Sequence, residues 1–187
     1  MAINLSNLTK NSPKAPRIII HGDPGVGKTT FAACAPSPVI IQTEDGLGNL
    51  DATAFPLATS FQDVLDALAS LYSEDHQFKT LVVDSLDWLE PLIWQHVCKT
   101  HGKKSIEEFG YGKGYVEALT VWRQFFDGIT ALRDSKGMLI VMTAHSEQKK
   151  VEDPMLPAYD THDLKLHKRA AALAEEFADV ILFAAVQ

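Results

Sequence analysis

The chain has 187 residues with a formal net charge of −7, 46% hydrophobic and 22% charged residues, a balance that excludes a disordered chain and suits one globular domain with its own core. The acidic total counts against a general polyelectrolyte binder of nucleic acid, although a local basic groove on an acidic body stays open. Cys34 and Cys98 form no close-spaced pair, the apolar run Val180 to Val186 is far short of a membrane-spanning helix, and no export signal opens the chain, so a cytoplasmic protein without membrane partners is expected.

Met1 to Pro16 is polar, contains Pro13 and Pro16, and reads as an arm; residues 17–187 read as the domain. Arg17 to His21 is a β-branched apolar run suited to a strand buried on both faces. A glycine-rich turn follows, then a helix that Pro36 and Pro38 end. Val39 to Gln42 is a second strand. Ser60 caps a helix whose apolar face is Phe61, Val64, Leu65, Leu68 and Leu71. Thr80 to Asp84 is a third strand, and Leu86 to His101 a helix with Pro91 near its first turn or kinking it.

A long amphipathic helix is expected over Tyr115 to Ser135, with Gly137 as its terminator. Met138 to Ala144 is a fourth strand, and a loop of residues 146–167 leads to a helix over Lys168 to Ala178. The last strand is Asp179 to Ala185. Continuous apolar strands alternating with amphipathic helices imply a mainly parallel, three-layer α/β sheet, which takes its ligands at the strands' carboxyl ends.

Gly22-Asp23-Pro24-Gly25-Val26-Gly27-Lys28-Thr29 fits G-x-x-x-x-G-K-[ST] without a mismatch, between a buried strand and a helix. The glycines let backbone N–H groups close on phosphate oxygens, and the helix start adds positive charge. Lys28 is placed to reach the β- and γ-phosphates and the Thr29 hydroxyl to ligate Mg²⁺; Thr30 completes the nucleotide-binding segment. Asp84, ending LVVD, is placed to hold the metal's hydration shell, with a helix cap by Asp84 or Ser85 as the plainer reading. Hydrolysis also needs a group that orients water. Glu44 and Asp45 follow the second strand, and Glu44 is preferred because it lies nearer the strand end. His145 directly follows the fourth strand, where a polar residue could touch the γ-phosphate.

GDPGVGKTT, IIQTEDG, LVVDSLDWL and LIVMTAH occur in the order used by RecA-like recombination ATPases, and the chain resembles the phage-encoded nucleotide-binding ATPases of that group, some linked to single-strand annealing. The resemblance covers about Pro16 to Ala185. It implies a P-loop NTPase core with strand order 5-1-4-3-2, ATP and Mg²⁺ as cofactors, Glu44 as the water-activating acid, Asp84 as the Walker B acid and His145 as the sensor. It also implies a homo-oligomer, single-stranded DNA as a partner and a single-strand DNA-binding protein as a further one. Two departures follow: no room for an extra DNA-gathering domain, and an end just after the fifth strand, where related chains usually continue.

Two segments are candidate DNA contacts. Lys99 to Tyr115 carries Lys103, Lys104 and Lys113 with Tyr111 and Tyr115 among glycines, a pattern that can stack unpaired bases. The 146–167 loop adds Lys149 and Lys150, and its place after the sensor matches a DNA-contacting loop of RecA-like proteins. Lys165, Lys168 and Arg169 are either cations for a neighbour's ATP site or a solvated helix start. A small kinase would want an arginine-rich lid, which this loop lacks, and a GTPase an [NT]KxD element, which the chain lacks. A nucleotide-binding assembly or packaging module with little turnover stays open as a non-enzymatic reading.

Overall fold

The computed structural model describes residues 4, 10, 12–151 and 158–186. Most of the expected arm, and the middle of the expected 146–167 loop, lie outside the described residues. Among those described, the elements run β1 (Arg17–Gly22), α1 (Lys28–Ala33), β2 (Pro38–Gln42), α2 (Phe61–Ser73), β3 (Thr80–Asp84), α3 (Leu86–Thr100), α4 (Lys113–Lys136), β4 (Leu139–Val151), β5 (Tyr159–Leu164), α5 (Lys168–Phe177) and β6 (Val180–Ala184). A short 3₁₀ turn, Ile106–Phe109, precedes α4.

Five strands pair in parallel in the order β2-β3-β4-β1-β6, which is the expected order once β6 is counted as the fifth parallel strand. Each strand buries alternate residues on opposite faces. One face carries Ile19, Val39, Ile41, Leu81, Val83, Ile140 and Met142 into the large core with α2, α3, α4 and α5. The other carries Ile20, Ile40, Val82 and Val141 into a small core with Ala32 of α1. The result is a three-layer α/β fold with unequal layers. β6 lies at the edge, and its residues Val180 to Phe183 are 37–47% exposed on both faces.

Local chemistry sets the helix ends. The Ser60 hydroxyl accepts the Asp63 N–H at 3.3 Å, and the Asp63 carboxylate accepts the Ser60 N–H at 2.9 Å, a reciprocal cap on α2. Gly137 ends α4 at φ 67°, as its position predicts. Pro91 sits inside α3, so one N–H of that helix's ladder is missing. On α4, Trp122, Phe125, Phe126, Ile129 and Leu132 form the buried stripe that the spacing predicts.

The fourth strand departs from expectation. It does not stop at Ala144 but runs to Val151, and its outer half pairs antiparallel with β5, from Ser146 opposite Leu164 to Val151 opposite Tyr159. What reads as a loop is therefore a two-stranded ribbon standing off the sheet. Ser-Glu-Gln-Lys-Lys has no apolar alternation to mark a strand, because a ribbon with both faces largely in water needs none. Charge helps hold it: Lys149 pairs with Glu147 of its own strand at 2.9 Å and across the ribbon with Asp163 at 3.1 Å. Among the described residues, no helix is long and apolar enough to cross a membrane.

Ile129 is fully buried at the centre of the α4 stripe. Ile129→Ala should lower the unfolding free energy by about 2–5 kcal/mol in a denaturant titration, because the cavity adds to the lost transfer term. A loss below about 0.5 kcal/mol would mean that α4 does not pack as described.

Candidate functional site

The turn between β1 and α1 is shaped by close approach and by backbone sign. A Cβ on Gly22 would lie 2.3 Å from the Ala184 carbonyl oxygen of β6, so only glycine fits there. Gly25 and Gly27 take φ of +79° and +95°, the left-handed region that glycine enters freely. Lys28, buried at the first position of α1, donates from Nζ to the carbonyls of Gly22 at 3.0 Å and Asp23 at 2.9 Å. Burial lowers its pKa, and the nearby carboxylates of Asp87, Asp84, Glu44 and Asp23 oppose that shift.

Asp84 ends β3 beside this turn. Its Oδ2 accepts the Thr29 hydroxyl at 2.8 Å, and its Oδ1 accepts the Thr143 hydroxyl of β4. Its carbonyl accepts the N–H groups of Thr43 and Glu44, at 2.8 and 3.3 Å, which carries the residues after β2 alongside. The buried Thr43 hydroxyl donates to the Ser85 carbonyl at 2.6 Å and accepts the Ser85 N–H at 2.9 Å. Ser85 occupies the cap position of α3 without capping it; its hydroxyl instead donates to Glu44 Oε2 at 3.3 Å.

These groups surround a cleft of about 270 Å³. Pro24, Gly25, Gly27, Lys28, Thr29 and Thr30 form one wall, and Glu44, Asp84 and His145 the other. Of the remaining expected loop residues, Gly22 is buried, Asp23 offers its carbonyl to Lys28, and Val26 is half-buried. Asp45 is exposed and not among the residues lining the cleft, whereas Glu44 lines it. The volume is at the small end for ligand sites. The donors beside it are hydroxyl and carboxylate oxygens, the set that suits a hard cation such as Mg²⁺. Among the described residues there is no cluster of three or more His, Cys, Asp or Glu able to hold a metal; Mg²⁺ needs none when phosphate oxygens and waters complete its shell.

His145 lies within β4, at the point where the strand leaves the parallel sheet. Asp87, in the first turn of α3, accepts its backbone N–H at 2.9 Å and lies 2.8 Å from its ring Nδ1. One turn further along, buried Glu90 accepts the His167 N–H at 3.0 and 3.2 Å. Burial raises the Glu90 pKa to about 7, with Asp87 and Glu147 pushing the same way and the His167 N–H opposing. Sequence reasoning missed Asp87, Glu90 and Thr43. The signal for the first two was their i, i+3 spacing on α3, which puts both carboxylates on one helix face.

The candidate DNA contacts separate in space. Tyr111 is fully exposed at φ 48°, and Lys103, Lys104 and Lys113 of the same stretch of chain are exposed. Tyr115 differs: its ring stacks on His167 at 4.0 Å between centroids, and its hydroxyl donates to Glu107. It is part of the scaffold rather than a free aromatic on a loop. Lys149 is tied into its ion pairs, and Lys150 is exposed on the ribbon. Lys165, Lys168 and Arg169 are exposed, the last two opening α5.

A parallel sheet of this order, a glycine loop between β1 and α1, and an acid at the end of β3 define a P-loop NTPase core. Residues 14–187 match the AAA domain family, and the chain belongs to that family of P-loop ATPase-like proteins. No curated protein matches the sequence.

The raised Glu90 pKa carries a sign for stability. The folded state holds this proton more tightly than the unfolded chain, so the contribution of Glu90 to stability is full below pH 4.5 and declines as pH rises toward about 7. The shift corresponds to at most on the order of 3 kcal/mol. Glu90→Gln keeps an acceptor for His167 and should flatten melting temperature against pH over that window, leaving the variant the more stable at pH 8. An unchanged profile would place the titration elsewhere.

Proposed function

We propose that the protein binds ATP with Mg²⁺ and hydrolyses it, and that it acts as a RecA-like ATPase in phage DNA recombination or single-strand annealing through contacts to single-stranded DNA. The observation that carries the ATPase reading is the contact of Thr29 with Asp84 at 2.8 Å, in a cleft that Lys28, Glu44 and His145 also line. Resemblance to the recombination group supports the DNA part, together with the exposed Tyr111 and its lysines.

In this reading the loop N–H groups and Lys28 receive the β- and γ-phosphates, Lys28 exchanging its loop carbonyls for phosphate oxygens. Thr29 and Asp84 would hold Mg²⁺, which supplies neutralisation of the charge developing on the phosphates. Glu44, fixed by Ser85, orients the attacking water in line with the scissile bond and accepts its proton. His145 contacts the terminal phosphate from the far wall. Tyr111 stacks an unpaired base while Lys103, Lys104 and Lys113 meet phosphates, and the protein works as a homo-oligomer.

ATP turnover should fall by about 10²-fold or more in Glu44→Gln with ATP affinity little changed, as for loss of a general base. Lys28→Ala and Asp84→Asn should lose both turnover and affinity. Normal turnover in Glu44→Gln would remove that residue from the chemistry. Turnover should also rise with added single-stranded DNA; ATP binding without turnover would point to the assembly module, and phosphate transfer to an added acceptor to a kinase.

Binding of a labelled oligonucleotide should weaken with salt and drop about tenfold in Tyr111→Ala combined with Lys113→Ala, given one lost stack and one lost phosphate contact. Unchanged affinity in that pair would clear the 109–115 segment of any role in DNA binding.

A further inference from the structure

We propose that Asp87 is a positioning residue for the terminal phosphate, acting through His145. The proposal rests on the ATP reading above. Asp87 spends both carboxylate oxygens on one residue: Oδ1 takes the His145 backbone N–H at 2.9 Å, and Oδ2 lies 2.8 Å from ring Nδ1. The pair is largely enclosed, with side chains 6% and 14% exposed. Two contacts to the same residue, one to main chain and one to the ring, fix the ring's rotation as well as its place.

An ionised carboxylate only accepts hydrogen bonds, so the ring hydrogen facing it sits on Nδ1. Nε2 is the atom left for the cleft that His145 lines, and it donates to a phosphate oxygen as N–H when the ring stands as imidazolium beside Asp87. The origin of this geometry is the short path from Asp84. Two residues separate the acid that meets Thr29 from the acid that meets His145, so the start of α3 ties the phosphate loop and the β4 wall to one turn.

Electrostatics separates this role from that of a loose surface acid. Among the carboxylates acting on Lys28, Asp87 exerts the largest pull. A carboxylate that close would repel a triphosphate if its oxygens faced the cleft. Here both oxygens are engaged by His145, and it is His145 rather than Asp87 that lines the cleft. Asp87 therefore contributes by what it holds and not by touching the nucleotide.

The test is calorimetric titration of the full chain with ADP and with a non-hydrolysable ATP analogue, in the presence of Mg²⁺. Asp87→Asn and His145→Gln should each lose at least fivefold in affinity for the triphosphate while ADP affinity stays within twofold, which also reports that the loop is folded. In the His145→Gln background, Asp87→Asn should add less than twofold. An equal loss for both nucleotides, or the same loss with and without His145, would reduce Asp87 to a structural tie and overturn the proposal. So would an unaltered triphosphate-to-ADP ratio in His145→Gln alone. If instead the wild type binds neither nucleotide and Lys28→Ala behaves identically, the ATP reading itself falls and takes the proposal with it. Loss of binding in Lys28→Ala, with Asp87→Asn indifferent, sinks the positioning role alone.

Discussion

A single carboxylate gathers the cleft. Asp84 receives one hydroxyl from the start of α1 and one from β4, while its carbonyl receives the two N–H groups that follow β2. Those contacts exist only because the parallel order sets β3 between β2 and β4 and brings β1 to the far side of β4. Antiparallel pairing would have sent half of these strand ends to the opposite edge of the sheet. Four contacts converging on one enclosed residue hold this wall of the cleft in register with the phosphate loop.

Much of this was legible in the residues. The glycine loop, the five apolar runs and the helix stripe of α4 each carry a strong periodic or positional signal, and the structure reproduces them within a few residues, although the last run lies exposed at the sheet edge. Glu44 was separable from Asp45 only by its nearness to the strand end; in the fold Glu44 meets Ser85 and lines the cleft, while Asp45 does not line it. The ribbon of β4 and β5 was not legible, since hydrophobic alternation reports burial and this ribbon is largely unburied. Asp87 and Glu90 were hidden for another reason. Their partners, His145 and His167, lie on a different element, so no local pattern could pair them.

The first turns of α3 emerge as the anchor of that ribbon. Asp87 holds β4 at His145 and Glu90 holds the chain just past β5 at His167, so one helix face grips both strands at their base. A third tie comes from β1, where buried His21 Nδ1 lies 2.9 Å from the Ser146 hydroxyl. The ribbon is thus joined to the cleft through short, enclosed polar contacts. A shift of His145 would be felt along a continuous strand rather than across a slack loop.

The contact between Gly22 and the Ala184 carbonyl has a consequence for how the cleft comes into being. The floor under the glycine turn is laid partly by the strand furthest along the sequence, which flanks β1 on the side away from β4. Gly22 packs directly on that outermost backbone, so the seating of β6 is one of the contacts that hold the start of the turn. By linkage, a ligand held by the turn would also favour the seating of this solvent-exposed edge strand.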